Sequence, residues 1–468
     1  MEDQGFGYKE EDILEIVRRY ERMRNNKETY FFDVDEFETI IDYYLEVNDV
    51  SFAFDAAESA SLQHPASSSI QLRKAKVLID KGRPVDALKI TRLIEKIEPS
   101  NYEVFLLKGA ALGMLGDLNG TRKNFDLALS VDISEEISIL LSITGILNDL
   151  NHYSLLTTYL ERLVEIEPDY TNHLYDLAYA YEKMGDNKSS IKYYRKYLEQ
   201  DPLSDNAWYN LGLIYTKEGM VKKALDAYEY SLAVNPENFF AIFNMANILS
   251  KEGRYKEALE AYLNYLEFEE ESSEAMTYAA ECYHKTGETD KALKIYNEAI
   301  DLDPDYSEPW FGIGLLYVDN EADKSIKYLR KAISLKGDEP EYWYFLAEAY
   351  YRCDRVKDSF RSLVHAVNIN PYYDQAWLKI GKLIIEGGYY NHSALILERG
   401  MKVIGDVSGI RYLLASTYLF AGEKDLFKLN IEKVFDDSPT TFRFFSPLFP
   451  EKLIDKKTIR FIRKKLKE

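Results

Sequence analysis

Cysteine is almost missing: Cys282 and Cys353 are the two in 468 residues, too few for a disulfide framework. Long apolar runs are missing as well. No stretch of about eighteen consecutive apolar residues occurs, which excludes an ordinary membrane-spanning helix. The opening residues, MEDQGFGYKEED, carry neither a basic cluster nor an apolar core, so no secretory leader is expected there and a reducing cytoplasm is the expected compartment. Positive charge is short: 58 Lys and Arg stand against 79 Asp and Glu, a formal net charge of −21. Such a surface repels phosphate backbones and argues against a nucleic-acid partner. No integral membrane association is expected either. Length alone suggests about three globular domains, and 46% hydrophobic with 29% charged residues is ordinary for a folded protein.

Tyrosine is abundant, at 38 residues, and its placement follows a period. Pro65 and Pro99 lie 34 residues apart, as do Pro168, Pro202 and Pro236; Pro304 and Pro439 fall on the same ruler. A frame of this length divides the chain into twelve expected units: 34–67, 68–101, 102–136, 137–170, 171–204, 205–238, 239–272, 273–306, 307–339, 340–373, 374–407 and 408–441. One unit is a residue long and one a residue short.

The clearest unit, 205–238, carries Trp208, Leu211, Gly212, Tyr215, Gly219, Ala224, Tyr228 and Pro236 at repeat positions 4, 7, 8, 11, 15, 20, 24 and 32. Positions 4, 7, 8 and 11 share one stripe of a 3.6-residue helix. Position 8 is Ala or Gly except at Ile41 and Thr144; position 20 is Ala, Ser or Thr except at Leu156, Ile326 and Phe427. Small residues facing each other let two helices approach closely. In the short unit, Ser325 is expected to take the small slot beside Ile326. Position 11 is always large, and glycine near position 15 suits a tight turn. Proline at position 32 stops the second helix, having no amide to lose there.

These residues resemble the tetratricopeptide repeat family, whose signature is a Trp–Leu–Gly–Tyr run followed by Ala, Phe and Pro. The resemblance covers 34–441. It implies an all-α, right-handed superhelical solenoid of helix-turn-helix units with the first helices lining the concave surface. A pentatricopeptide array has a similar period and binds RNA, but the acidic balance and the position-32 proline argue against it. The stretch from Thr29, TYFFDVDEFETIIDYYLE, looks like the N-terminal part of acidic, tyrosine-rich tetratricopeptide proteins of Bacteroidota.

The ends read as caps. Within 1–33, Ile13, Ile16, Val17 and Tyr20 share a helix face. Residues 442–468 hold nine Lys or Arg and three Asp or Glu, with Ile459, Ile462 and Leu466 on one face. This suits a basic C-terminal capping helix, since a last repeat must be covered. Docking to an acidic partner or an anionic surface is the other reading.

No catalytic, cofactor or metal constellation stands out. The six histidines fall at unrelated repeat positions, and Cys282 and His284 are two apart, pointing to different faces of a helix. The Gly387–Gly388 pair reads as an interhelix turn. The chain is therefore expected to be a non-catalytic scaffold. Its partner would be an extended peptide or a helix of another protein, with self-association left open.

Positions 2, 5, 9, 12 and 13 lie opposite the packing stripe. In the first unit they are acidic: Asp35, Glu38, Asp42 and Glu46. From 171 to 272 they give Asn172, Tyr175, Tyr179, Asn206, Tyr209, Phe240, Phe243, Asn247 and Lys251, with Asn210 and Asn244 at position 6 beside them. Flat rings supply contact area and carboxamides serve a peptide backbone as donor and acceptor, so these eleven residues form the expected concave groove. Tyr175, Tyr209, Phe243 and Asn247 are expected to be well exposed. The basic clamp with which one subclass grips a chaperone C-terminus is absent, because Tyr175 and Tyr179 stand where it needs Lys and Asn, and Phe240 and Asn244 where it needs Lys and Arg. A structural assembly role through the convex face, the ends or the basic helix is the alternative function.

Overall fold

A computed structural model describes residues 10–26, 30–405 and 407–437 of the protein; the expected C-terminal cap at 442–468 lies outside the described residues. Among these residues every regular element is an α-helix. Two compact units, Met1–Asn235 and Pro236–Glu468, divide the chain.

In the first unit α1 (Glu10–Asn26) precedes six helix pairs: α2 (Val34–Glu46) and α3 (Val50–Gln63), α4 (Ser68–Asp80) and α5 (Pro84–Ile97), α6 (Tyr102–Met114) and α7 (Leu118–Val131), α8 (Glu136–Asp149) and α9 (Tyr153–Ile166), α10 (Thr171–Lys183) and α11 (Asn187–Gln200), α12 (Asp205–Lys217) and α13 (Val221–Val234). The second unit repeats the plan with α14 (Phe239–Lys251) and α15 (Tyr255–Phe268), α16 (Ser273–Lys285) and α17 (Thr289–Leu302), α18 (Ser307–Tyr317) and α19 (Ala322–Leu335), α20 (Pro340–Arg352) and α21 (Val356–Ile369), α22 (Asp374–Glu386) and α23 (Tyr390–Ile404), α24 (Ser408–Ala421) and α25 (Lys424–Asp437).

Helix starts are written in short polar side chains. Asp33, Ser67, Asn101, Asp117, Asp186, Ser204, Asn238 and Ser272 each accept a hydrogen bond from a first-turn amide, which satisfies a donor the helix itself cannot. The turn inside each pair needs a left-handed residue at position 15. Glycine fills it at 82, 116, 185, 219, 253, 287, 388 and 422, while Asn48, Asn151 and Asp354 take the same conformation at φ 58°, 56° and 54°. After glycine, short polar residues enter that region at the lowest cost. The short unit dispenses with the left-handed residue: α18 stops two residues early and Glu321 caps α19 with φ −137°.

Close approach within a pair rests on positions 8 and 20. The buried hydroxyls of Thr121, Ser190 and Ser325 donate to the first-helix carbonyls of Gly109, Ala178 and Gly314 at 3.1, 2.8 and 2.7 Å. Ser325 therefore occupies the small slot of the short unit, with Ile326 buried beside it. Where position 8 is glycine, a second-helix side chain fills the space, a ring at Gly109 and Gly212 and a leucine at Gly314 and Gly381. A Cβ on Gly109 would meet Phe125 at 2.3 Å, and one on Gly212 would meet Tyr228 at 2.6 Å.

Successive pairs are joined by a recurrent bond. The indoles of Trp208, Trp310 and Trp377 donate to the carbonyls of Pro202, Pro304 and Pro371 at 2.9, 3.1 and 2.9 Å, and Trp343 donates to Gly337 at 2.9 Å. Each carbonyl lies six residues upstream, at the end of the preceding pair. Trp377 is a core residue, whereas Trp208 is half-buried and stacked on Tyr230 at 4.6 Å; Trp208 is less a core residue than the repeat pattern suggests.

Within each unit the second helices pack on the next first helix, and first helices also meet directly: α2 with α4, α4 with α6, α6 with α8, and in the second unit α16 with α18 and α22 with α24. The first helices thus form the inner layer of each array. At the N-terminal end Ile16, Val17 and Tyr20 of α1 are buried with Phe37 and Ile40 of α2.

Many tyrosines are core. At position 24, Tyr194, Tyr228, Tyr262 and Tyr296 are all but inaccessible, and burial raises each phenol above its ordinary value, Tyr228 to about 12. A folded-state pKa above the unfolded one favours folding fully below the unfolded value, and that contribution is lost as pH rises through the folded one. Stability in urea should therefore hold to about pH 10 and then fall steadily towards pH 12. A midpoint unchanged between pH 9 and pH 11.5 would contradict the burial of these rings.

Candidate functional site

The eleven residues expected to line a groove lie on first helices of both units, and each unit has its own set. In the first unit, Asn172 and Asn206 are exposed, while Tyr175, Tyr179, Tyr209 and Asn210 are half-buried. In the second, Phe240 and Lys251 are exposed, while Phe243, Asn244 and Asn247 are half-buried. The expectation that Tyr175, Tyr209, Phe243 and Asn247 stand well exposed does not hold, and the reason is contact with the second helix of the same pair, joined for Tyr175 and Phe243 by a residue of the next pair. Tyr175 meets the rings of Tyr194 and Tyr197 edge-on at 5.5 and 5.4 Å, and its hydroxyl accepts from Asn210 Nδ2 at 2.9 Å. Tyr209 leans on Tyr228. Phe243 is set among Tyr262, Tyr265 and Tyr278, and Asn247 Oδ1 accepts from the Tyr262 hydroxyl at 2.6 Å. Asn244 donates back to the Phe240 carbonyl at 3.0 Å.

The inner layer of the first unit opens between α8 and α10. A cleft of about 430 Å³ is lined there by Leu141, Thr144, Gly145 and Asn148 of α8, Leu156 and Leu160 of α9, and Tyr175, Asp176 and Tyr179 of α10. Two of the expected groove residues, Tyr175 and Tyr179, form one wall. The local sequence explains the opening. This pair departs from the repeat at both contact positions, with Thr144 at 8 and Leu156 at 20, so α9 presents leucines rather than a small residue. Gly145 then occupies position 9, where other units carry a side chain, and a Cβ there would meet no atom within 4 Å. Leu156 and Leu160 form a buried floor and Leu141 is 47% exposed above it.

Polar groups mark the rim. Asp176 keeps solvent contact on a wall crowded by protein, and burial raises its carboxyl above the usual range. Lys183 sits over the Tyr179 ring at 4.8 Å, fixing the wall at one end. The site missed in sequence is thus centred on Gly145, whose signal was an absent side chain at an inward-facing position.

The acidic first pair is tempered by its neighbour. Arg73 of α4 pairs with Glu38 at 3.2 Å and Asp42 at 3.0 Å. Cys282 is buried, which pushes its thiol up to about 11 and away from the reactive thiolate, and burial lowers His284. Among the described residues no group of three His, Cys, Asp or Glu side chains could hold a metal ion, and no helix is long and apolar enough to cross a membrane.

Asn210 ties two tyrosines, reaching the buried Tyr194 hydroxyl at 3.2 Å as well as Tyr175. Replacing it, Asn210→Ala, should cost about 1–3 kcal/mol by stranding those hydroxyls, whereas Asn206→Ala on the exposed side of α12 should stay within about 0.5 kcal/mol. Hydrogen exchange across α10 to α12 separates the two; equal protection in both variants would remove Asn210 from the scaffold.

Family models described as tetratricopeptide repeat match residues 171–214, 206–238 and 243–307. No curated protein matches the sequence. Similar solved structures include a tetratricopeptide repeat protein from Parabacteroides merdae ATCC 43184, 17% identical, covering 56% of this chain and 99% of that one with a TM-score of 0.41. A thermophilic tetratricopeptide protein of Thermus thermophilus is 22% identical over 39% of this chain and 100% of its own, with a TM-score of 0.34. A Naa15/Naa10 structure bound to HypK-THB is 13% identical over 92% of this chain and 79% of that one, with a TM-score of 0.37. Tetratricopeptide repeats are thus present across 171–238 and 243–307, set among helix pairs of one plan.

Proposed function

We propose that the protein is a non-catalytic interaction scaffold that holds a peptide segment or helix of another protein on its first-helix layer, anchored in the cleft between α8 and α10. The observation that carries this reading is the cleft at Gly145: an apolar floor, a tyrosine wall and a polar rim on the inner layer of a repeat array. Binding pockets commonly combine an apolar interior with a few placed polar groups. One Leu- or Phe-sized side chain buried there would contribute about 1.5–3 kcal/mol. Asn148 and Asp176 at the rim suit the backbone amides or a basic neighbour of that side chain. Asn172 and Asn206 extend the same layer with exposed carboxamides. The twelve-unit frame is our proposed division of the chain, and the acceptor is proposed to be protein rather than nucleic acid.

Filling the cleft tests this without disturbing the pair. Gly145→Leu places a side chain in open space and replaces a helical glycine, so stability should rise by up to about 1 kcal/mol. Peptides selected by display on the wild-type protein should lose at least about tenfold in affinity for this variant, a change of about 1.4 kcal/mol. Undiminished binding by fluorescence polarisation would move the site elsewhere on the chain.

A further inference from the structure

Two clefts on the other side of the helix pairs are built from equivalent repeat positions. One, of about 450 Å³, lies between α11 and α13 with α12 beneath; the other, of about 520 Å³, lies between α19 and α21 over α20. Their frames correspond: Trp208 to Trp343, Leu211 to Leu346, Tyr215 to Tyr350 and Leu198 to Ile333. One cation is shared in kind, Arg195 and Arg330. The charges around it are not.

In the first cleft Arg195 and Lys223 face Glu199 and Asp226, a balanced set. In the second, Ser334 replaces the glutamate, Asp358 and Arg361 exchange the order of sign, His365 replaces Tyr230, and Arg355 is added. Asp358 is the one acid of that lining. It is engaged by Arg355, whose Nε and Nη2 donate to it at 3.0 and 2.7 Å while its guanidinium lies 4.5 Å over the Tyr350 ring. Arg361 reaches Asp358 at 3.6 Å from a side chain that is 75% exposed. The Arg330 side chain is exposed at the cleft. The result is a cation-rich cleft, floored by Trp343, Leu346 and Ile333, on a chain of net charge −21.

We propose that the α19–α21 cleft binds a short acidic peptide segment of a protein partner. Its carboxylates would meet Arg330 and Arg361, and an adjoining apolar side chain would rest on Trp343 and Leu346. Guanidinium groups match carboxylates in a two-bond geometry that a point charge lacks. The stack of His365 on Trp343, 4.5 Å between centroids and 24° between planes, gives the apolar wall a rigid edge. The same frame with balanced charge, in the first unit, supplies the comparison within one chain.

The experiment uses the full chain and a fluorescein-labelled peptide alternating Asp and Glu with Leu and Phe, beside its Asn and Gln counterpart. Wild type should bind the acidic peptide at least about tenfold more tightly than the amide one, with affinity falling as salt rises. The double substitution Ser334→Glu with Arg361→Asp writes the neutral cleft's residues into the cationic frame at exposed positions, and should abolish that preference. The reciprocal Glu199→Ser with Asp226→Arg should add a second binding equivalent. Gly145→Leu should leave acidic-peptide binding untouched, which separates this site from the inner cleft. Equal binding of both peptides by wild type overturns the proposal, as does wild-type binding by a folded Ser334→Glu, Arg361→Asp protein.

Discussion

The contact between position 8 of a first helix and position 20 of its partner governs the architecture. At that point the backbones come close enough for a hydroxyl on one helix to bond a carbonyl on the other, as Thr121, Ser190 and Ser325 do. Bulky side chains at both positions together would part the helices. Rings at position 24, such as Phe125 and Tyr228, then fill the space beside the contact. The tryptophan–carbonyl bonds carry the same register from one pair to the next. Each pair cannot bury its apolar face alone and depends on its neighbours.

Our proposed partner site lies where this constraint is relaxed at both positions of one pair. Thr144 and Leu156 break both small positions of one pair, and Gly145 removes the side chain that would otherwise cover the gap. The α8–α10 cleft is the outcome. On the other side of the pairs, the grooves between second helices share a common frame, and their character is set by surface charges free of that packing constraint. Structure is thus specified by the interior positions, and partner choice is left to the positions that packing does not decide.

The proline spacing and the small residues at 8 and 20 were readable from sequence because each reports a steric requirement repeated many times. The slipped Ser325 was readable for the same reason: a small slot must be filled by a small residue. The left-handed Asn48, Asn151 and Asp354 were harder to see because glycine dominates that turn. The groove was only half legible. A helical wheel places Tyr175 and Phe243 outward on their own helices, yet it is blind to rings arriving from the second helix of the same pair, which half-bury both. The cleft at Gly145 escaped because a search for side chains passes over a position with none.

The central claim, that a partner seats on the inner layer at the α8–α10 cleft, is tested most directly by site-specific photo-cross-linking. A benzophenone side chain at Leu141, on the cleft's rim, is compared with one at Leu93, exposed on the second helix α5. With a peptide selected for binding, the account predicts a cross-linked product from 141 and none from 93. Cross-linking at 93 alone, or equally at both positions, would contradict it.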